Sequence, residues 1–404
     1  MGDAGAALAQ STHCDIAVIG SGITGALVTD ALIATGQDIV MLDARDQALG
    51  STAASTALLQ YEIDTHLTDL ARSIGEERAT RAYHACAASF EMLERRFPEL
   101  LRPSDYRRRE SLYLAADQSA VQPLRAELAA RRRIGLACEW LDGDELRQRF
   151  GCQRPGAILS ALGAELDPMR FTQALICGAE RHGVRRFARS KVDTITEHQN
   201  GLRLTLGTGL TVDASHVIVA AGYESLEFLP REVADIDNTY AVVTQPLADP
   251  RRAATMPLMW ESARPYLYLR GTPDGRMIVG GADVPFRNPA ARDALLSRQV
   301  RRLAAGYREL FGEELPPIDG AWGGSFASTH DGLPFIGRVP GMHPGLQFAL
   351  CFGGNGITFS VHAAEMIRAG VDGRTHPLDD VFGFGRTVAG LTERLTGALV
   401  ASNR

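Results

Sequence analysis

Lysine is almost missing from this 404-residue chain: Lys191 is the only one, so arginine carries nearly all of the 42 basic charges. Acidic side chains outnumber basic ones, 48 to 42, and the net charge of −6 leaves no basic footprint for a nucleic-acid partner. Long apolar runs are missing too; the longest are strand-length, short of the ~20 residues that a transmembrane helix needs. The six cysteines (Cys14, Cys86, Cys138, Cys152, Cys177, Cys351) include no Cys-x-x-Cys pair and none is spaced with histidine as a metal ligand. Reduced, buried thiols in a cytoplasmic protein that binds no metal are the expectation. Met1 to His13 is alanine-rich but lacks the basic and apolar segments of a signal peptide, and reads as a frayed tail. The length suggests about two domains, yet no stretch reads as a linker. Discontinuous domains are therefore expected, and nothing specifies an oligomeric state.

What the chain does have is a glycine turn in a telling setting. Gly20-Ser21-Gly22-Ile23-Thr24-Gly25 lies between an apolar run (Ile16, Val18, Ile19) and a helix-like stretch from Ala26 to Ala34. Glycines permit a tight turn and close backbone approach to a pyrophosphate, whose charge meets free amides at the helix N-terminus. About 20 residues on, a second apolar run, Ile39 to Leu42, ends in Asp43, placed to accept hydrogen bonds from ribose hydroxyls. Strand, turn, helix, strand and acid in that order point to a dinucleotide.

A nicotinamide enzyme would continue with further strand and helix units in one sheet. This chain turns instead into a small-residue loop, Leu49 to Ser55, against which a large cofactor can lie. Ser215 to Gly222 reads as a buried strand ending in Ala220-Ala221-Gly222, and Cys351 to Thr358 as a glycine loop opening a helix through Ala369, capped by Gly370. The nucleotide site is thus assembled from distant segments.

Asp15 to Gly25, Asp43-Ala44-Arg45, the Gly50 to Ser55 loop, Glu165 to Pro168, Val217 to Gly222, Trp322 to Gly324, Thr329 to Gly337 and Phe352 to Thr358 together resemble the FAD-dependent D-amino acid oxidase superfamily. That group includes glycine oxidase, sarcosine oxidase and the γ-glutamylputrescine oxidases. The resemblance spans nearly the whole chain and is more specific for fold and FAD than for substrate. It implies an α/β (α+β) architecture: a Rossmann-like FAD-binding domain from residues 13–85, 150–225 and 320–390, and a discontinuous antiparallel-sheet substrate domain from 86–149 and 226–319. Residues 1–12 and 391–404 would be tails.

The resemblance also implies FAD contacts from Gly20, Gly22, Ile23, Thr24 and Gly25; from Asp43, Ala44 and Arg45; and from Ser51, Thr52, Ala53 and Ser55. Further contacts would come from the backbone of Val192 at the adenine, from Ala220, Ala221 and Gly222, and from Gly324. Gly353, Gly354, Asn355, Gly356, Ile357 and Thr358 would complete the set. Covalent members attach FAD through a cysteine or a histidine; here Gly324 stands in the cysteine's place and the Gly50 to Ser55 loop has no histidine, so non-covalent FAD is expected.

Elsewhere, apolar residues at helical spacing predict helices over Asp64 to Phe97, with strand Ser111 to Ala115 and a charged helix from Ser119 to Ile134 after them. Its Arg131-Arg132-Arg133 run reads as a solvated face. Asp167-Pro168 opens a helix to about His182. From Tyr240 to Gly281 alternation dominates, with Thr272 to Gly275 as a hairpin turn, which makes this the sheet of the substrate domain. Arg292 to Phe311 is an amphipathic helix outside it.

Flavin oxidation of a C–N or C–O bond needs a positioned substrate carbon and a positive field for the reduced anion, and the helix beginning near Ile357 can supply that field. Glycine-oxidase-like members clamp a carboxylate with an arginine five residues before the aspartate of the Thr-x-Asp-Gly turn; here that residue is Phe326, which favours an amine or a bulkier substrate unless Arg270 or Arg264 substitutes. Arg270 shares strand phase with Tyr266 and Tyr268, so one face could present two phenols and a guanidinium, with a structural salt bridge as the alternative. His330 is a candidate base or a pocket-shaping residue; Tyr61 and Trp322 are candidates to face the flavin or simply to pack.

The leading reading is an FAD-dependent oxidoreductase that converts the C–N bond of a small amine or amino acid to an imine. The alternatives are an FAD-dependent 2-hydroxy-acid or polyol dehydrogenase and an FAD-bearing subunit of a heteromeric dehydrogenase. In the sarcosine-oxidase branch a lysine near the flavin promotes reaction with oxygen; Lys191, beside Val192, would lie at the adenine end, which implies slow oxidation by oxygen and a preference for another acceptor.

Overall fold

The apolar run ahead of the glycine turn forms strand Thr12–Ile19, at the centre of a mostly parallel sheet. The protein is seen here in a computed structural model that describes residues 5–386 apart from 200, 231 and 287. Thr12–Ile19 pairs in parallel with Ile39–Leu42 on one side and Thr211–Val219 on the other; Arg185–Phe187 extends the first side. Thr211–Val219 divides its free edge, pairing through residues 211–214 with the hairpin strand Gly201–Leu206 and through 217–219 with Leu346–Leu350. Helix Ile23–Ile33 covers one face, packed between Pro168–Arg181 and Gly356–Val371. Covered sheet faces explain why Ile39–Leu42 is buried throughout and shows no alternation.

A second sheet of eight strands runs Ile318–Ser328, Asp235–Thr244, Met277–Pro285, Leu267–Gly271, Leu258–Glu261, Ser111–Leu114, Gly156–Ser160 and Cys138–Asp142. It is antiparallel except where Leu258–Glu261 meets Ser111–Leu114. The hairpin turning at Thr272 to Gly275 lies inside it, and helix Pro289–Phe311 packs on its outer side. The architecture is the expected α/β one, a Rossmann-like sheet joined to a mainly antiparallel sheet.

Several sequence expectations need correction. The boundary at 85/86 falls inside one helix, Glu76–Arg96, which packs on Gly356–Val371 of the first unit. Gly156–Ser160 and the part of Ile318–Ser328 from residue 320 on, both expected in the nucleotide domain, belong to strands of the second sheet, because their partners there satisfy their backbones. The N-terminal segment is docked from residue 5: Leu8 is buried, its amide donates to Ser190 Oγ at 2.9 Å, and Ala188 N donates to Ala6 O. Gly370 is no cap but lies within the helix, where a Cβ would meet Gln347 Oε1 at 2.2 Å. Cys177 is exposed, unlike the buried Cys14, Cys86 and Cys152. The expected tail 391–404 and residues 387–390 lie outside the described residues. Among the described residues no helix is long and apolar enough to cross a membrane.

The largest correction concerns Arg131, which is fully buried while Arg132 and Arg133 are exposed. Its Nε donates to Glu127 Oε1 at 2.8 Å, Glu62 lies 3.7 Å away, and the rings of Tyr61, Tyr83 and Tyr113 surround the guanidinium at 5.8 Å each. Glu127 also accepts the amides of Leu67 (2.9 Å) and Thr68 (3.1 Å), the first turn of helix Leu67–Ile74. A charge run marks a solvated face only on average; here one helix position in three points inward.

Candidate active site

The glycine turn is built by close approach. Gly20 has φ +111°, and a Cβ on it would lie 2.3 Å from Ala220 O; a Cβ on Gly25 would lie 1.9 Å from Gly20 O. Only glycines let helix Ile23–Ile33 start directly over the carboxyl end of Thr12–Ile19. Asp43, at the carboxyl end of the neighbouring strand, ties the turn down: its Oδ2 accepts from Ser21 N (2.7 Å) and Ser21 Oγ (2.8 Å), and its Oδ1 from Arg45 N (2.8 Å).

One elongated cavity passes these groups and continues toward the second sheet. Its wall includes Gly20, Gly22, Ile23 and Thr24, then Asp43, Ala44 and Arg45, then Ser51, Thr52 and Ser55. Val192, Ala220, Ala221, Gly222, Gly324 and the run Gly353, Gly354, Asn355, Gly356, Ile357 and Thr358 also line it. Segments more than three hundred residues apart are thus brought to one surface. Two expected residues miss the wall: Gly25 packs beneath Gly20, and Ala53 faces solvent on the short helix Ser51–Ala54.

Polar contacts lock the wall together. Thr52 Oγ1 accepts from Ile23 N at 3.0 Å. Asn355 Nδ2 donates to Gln60 O (2.9 Å) and Glu62 O (2.8 Å), holding the start of helix Gly356–Val371 against strand Leu58–Gln60. Both helices thereby present N-termini, with their partial positive charge, to the same cavity. Near Asp43, Arg45 forms a bidentate pair with Glu224, and Lys191 lies 3.8 Å from Glu227.

Of the candidate substrate residues, Tyr266 and Tyr268 line the cavity and Arg270 does not. Strand phase is right for all three, but Arg270 lies beyond the cavity: its Nε donates to Thr56 O (2.6 Å), and its Nη1 donates to Gly271 O (3.2 Å) and Glu165 Oε2 (3.4 Å). Glu165 also accepts from Arg109 at 2.7 Å, so the structural ion pair is the observed arrangement. Tyr61 is buried on the opposite face from Gln60, its hydroxyl 2.9 Å from Ser160 Oγ, as strand alternation requires. His330 is exposed and off the wall; its neighbour Asp331 is the buried one, paired with Arg386 at 2.9 Å. Trp322 packs, donating to Ala54 O at 2.9 Å.

The sequence reading did not pick out Gln60, Asp64, Thr239 and Trp260, which all line the same cavity. Asp64 Oδ2 accepts from Gly354 N at 2.8 Å. Trp260 stacks on Tyr113 with centroids 3.6 Å apart, and Tyr113 bonds His66 at 2.7 Å. None of these residues has a spacing signature: Gln60 and Asp64 come from strand Leu58–Gln60 and the loop after it, Thr239 and Trp260 from two strands of the second sheet, and only the tertiary fold brings them together.

The geometry fits a dinucleotide with an aromatic head: a phosphate-sized turn, an acid at a strand end, and a second helix N-terminus farther along. Comparison with known proteins agrees. The profile of the family described as FAD dependent oxidoreductase matches residues 15–369. The chain is 24% identical to γ-glutamylputrescine oxidoreductase of Escherichia coli K12, over 89% of this chain and 84% of that protein. It is 26% identical to the tRNA 5-methylaminomethyl-2-thiouridine biosynthesis bifunctional protein MnmC of Ralstonia nicotianae over 90% of this chain, spanning 58% of that relative. The crystal structure of glycine oxidase from Geobacillus kaustophilus superposes with TM-score 0.74 at 19% identity, over 93% of this chain and 99% of that one, and shares the fold.

Proposed function

Because the chain belongs to the family of FAD-dependent oxidoreductases, we propose that it oxidises the C–N bond of a small amine or amino acid to an imine, with FAD held non-covalently. The observation that carries this reading is the single cavity joining the glycine turn to an aromatic pocket on the second sheet. In it, Gly20 to Thr24 at the start of helix Ile23–Ile33 would cradle the pyrophosphate, Asp43 would receive the adenosine ribose, and Val192 would meet the adenine. Ala220 to Gly222, Ser51, Thr52, Ser55 and Gly324 would border the cofactor, and the helix N-terminus at Gly353 to Thr358 would stabilise the negative charge of its reduced form.

Bound there, FAD would supply the two-electron oxidation of the C–N bond to an imine, which water would hydrolyse to a carbonyl compound and ammonia or an amine. The protein's part is to hold the substrate carbon against the cofactor. Phe326 stands in the wall at the position of the carboxylate-clamping arginine of glycine-oxidase-like members, and Tyr266, Tyr268 and Trp260 line the same aromatic end. The net charge of −6 supports a free small molecule as the substrate.

The test begins with acid precipitation of the purified protein, which should release FAD into the supernatant; flavin held in the pellet refutes non-covalent binding. Anaerobic bleaching of the flavin's visible band with amines, amino acids, 2-hydroxy acids and tRNA follows. Bleaching by hydroxy acids alone would replace the C–N assignment with a dehydrogenase of hydroxyl groups, and bleaching by tRNA alone would replace the free substrate.

A further inference from the structure

We propose that the substrate end of the cavity is a cation receptor, selecting an amine whose ammonium group meets carboxylates between aromatic walls and which carries no α-carboxylate. This deepens, and rests on, the reading of the cavity as the site of amine oxidation.

The walls are aromatic and fixed. Trp260 is held by its stack on Tyr113, with rings 9° apart. Tyr266 and Tyr268 sit 5.6 Å apart at 43°, and Tyr268 lies so close over Gly280 that a Cβ there would meet its ring at 2.3 Å. The Tyr268 hydroxyl is 3.2 Å from Thr239 Oγ1. With Phe326, these aromatic side chains line one space, the surroundings in which an organic ammonium is attracted.

The charges at this end are negative. Asp64 is part of the wall, and its Oδ2 accepts from the Gly354 amide. Asp283 does not line the cavity itself but interacts with Thr239, Tyr266 and Tyr268 of its wall, and its buried Oδ1 has no hydrogen-bond partner among the described residues. Burial, and then the neighbouring carboxylates of Asp237 and Asp64, push the Asp283 carboxyl up to about 6, against Thr239 and Arg264, which lower it. An acid in that condition gains from an incoming cation.

Of the nearby guanidinium groups, two are engaged elsewhere and Arg264 lies outside the cavity wall, although its charge acts on Asp283. Arg270 and Arg109 share Glu165, and Arg264 lies on the exposed rim, 4.6 Å over the Tyr266 ring. The basic residues that do line the cavity, Arg45 and Lys191, are paired with Glu224 and Glu227 beside Asp43, at the nucleotide end. A substrate carboxylate entering the aromatic end would therefore face Asp64 without a cation in the wall to receive it, whereas an ammonium would be attracted by both acids.

The experiment uses the FAD-loaded protein and butyltrimethylammonium, which has no N–H to lose, beside the similarly sized anion 4,4-dimethylpentanoate. Binding is followed by calorimetry and by perturbation of the flavin spectrum. The expected result is saturable binding of the ammonium, at least tenfold tighter than the carboxylate. Asp64→Asn, whose amide oxygen can still accept from Gly354, and Asp283→Asn should each weaken ammonium binding tenfold or more with unchanged FAD content and melting temperature. Phe326→Arg should reverse the preference. Equal or tighter binding of the carboxylate to the unaltered protein overturns the proposal without reliance on any variant, as does full ammonium affinity in both folded asparagine variants. If the ammonium binds but no amine bleaches the flavin, the oxidation reading fails and the receptor stands; if amino acids bleach the flavin and the ammonium does not bind, the receptor fails and the oxidation reading stands.

Discussion

Replacing Arg131 by methionine tests how far a buried charge governs this fold. Its guanidinium is inaccessible to solvent, bonded to Glu127 at 2.8 Å, 3.7 Å from Glu62 and enclosed by three tyrosine rings. Burial pushes the Glu62 carboxyl up even with Arg131 close by, whereas Glu127 is held down, against its own burial, by Arg131 and by the amides it accepts. Methionine fills similar space but leaves Glu127 ionic and unpaired, at a cost of about 3–5 kcal/mol. Arg132→Met and Arg133→Met, on the exposed side of the same helix, should each change stability by less than about 0.5 kcal/mol. Denaturant unfolding of the FAD-loaded protein, followed by far-ultraviolet circular dichroism, measures all three. Glu127→Gln combined with Arg131→Met should recover part of the loss, because the orphaned charge is gone and the glutamine oxygen can still accept from one of the two amides, Leu67 N and Thr68 N, that bond separate carboxylate oxygens. A loss for Arg131→Met no larger than that for Arg132→Met, or a double variant less stable than the single one, would refute the reasoning.

Asp43→Ala should weaken FAD binding by about 1–3 kcal/mol, since it removes a charged acceptor and frees Ser21 and Arg45; equilibrium dialysis measures it, and unaltered affinity removes the ribose assignment. Arg270→Ala should lower the melting temperature by leaving Glu165 with Arg109 as its one ion-pair partner, and a lost rate at unchanged melting temperature would restore Arg270 to the substrate. His362 donates from Nε2 to Ala85 O at 2.6 Å, and burial lowers its pKa to about 4. The folded state thus binds fewer protons than the unfolded state between about pH 6.5 and 4, so stability is lost as pH falls through that window, by up to about 3 kcal/mol; a His362→Gln variant with the same acid sensitivity would rule this out. Lys191 sits beside Glu227 near Asp43, which supports slow reoxidation by oxygen and another acceptor in turnover; stopped-flow reoxidation in air-saturated buffer as fast as turnover would mark the protein as an oxidase.

The nucleotide half was legible in the chain because its determinants are local. A glycine that must adopt φ +111°, a helix that must start beside it and an acid at the next strand end are constraints on neighbouring residues, so order and spacing reveal them. Alternation likewise established that Tyr266, Tyr268 and Arg270 share a face, since side chains in a strand alternate with period two. Alternation does not say how far along that face the cavity extends; it ends at Tyr268, and Arg270 lies beyond it, bonded to Thr56 O and Glu165. Nor does a run of three arginines say which one turns inward, because that depends on Glu127, Glu62 and three tyrosines brought from other elements. Asp64, Thr239 and Trp260 come from three separate segments and acquire a common role only by facing one space. The sequence by itself determined the cofactor class and the order of elements, which depend on backbone geometry within short windows. The tertiary structure alone decided which charges are buried and what surrounds the substrate, because desolvation and Coulomb interaction depend on distance through space and not along the chain.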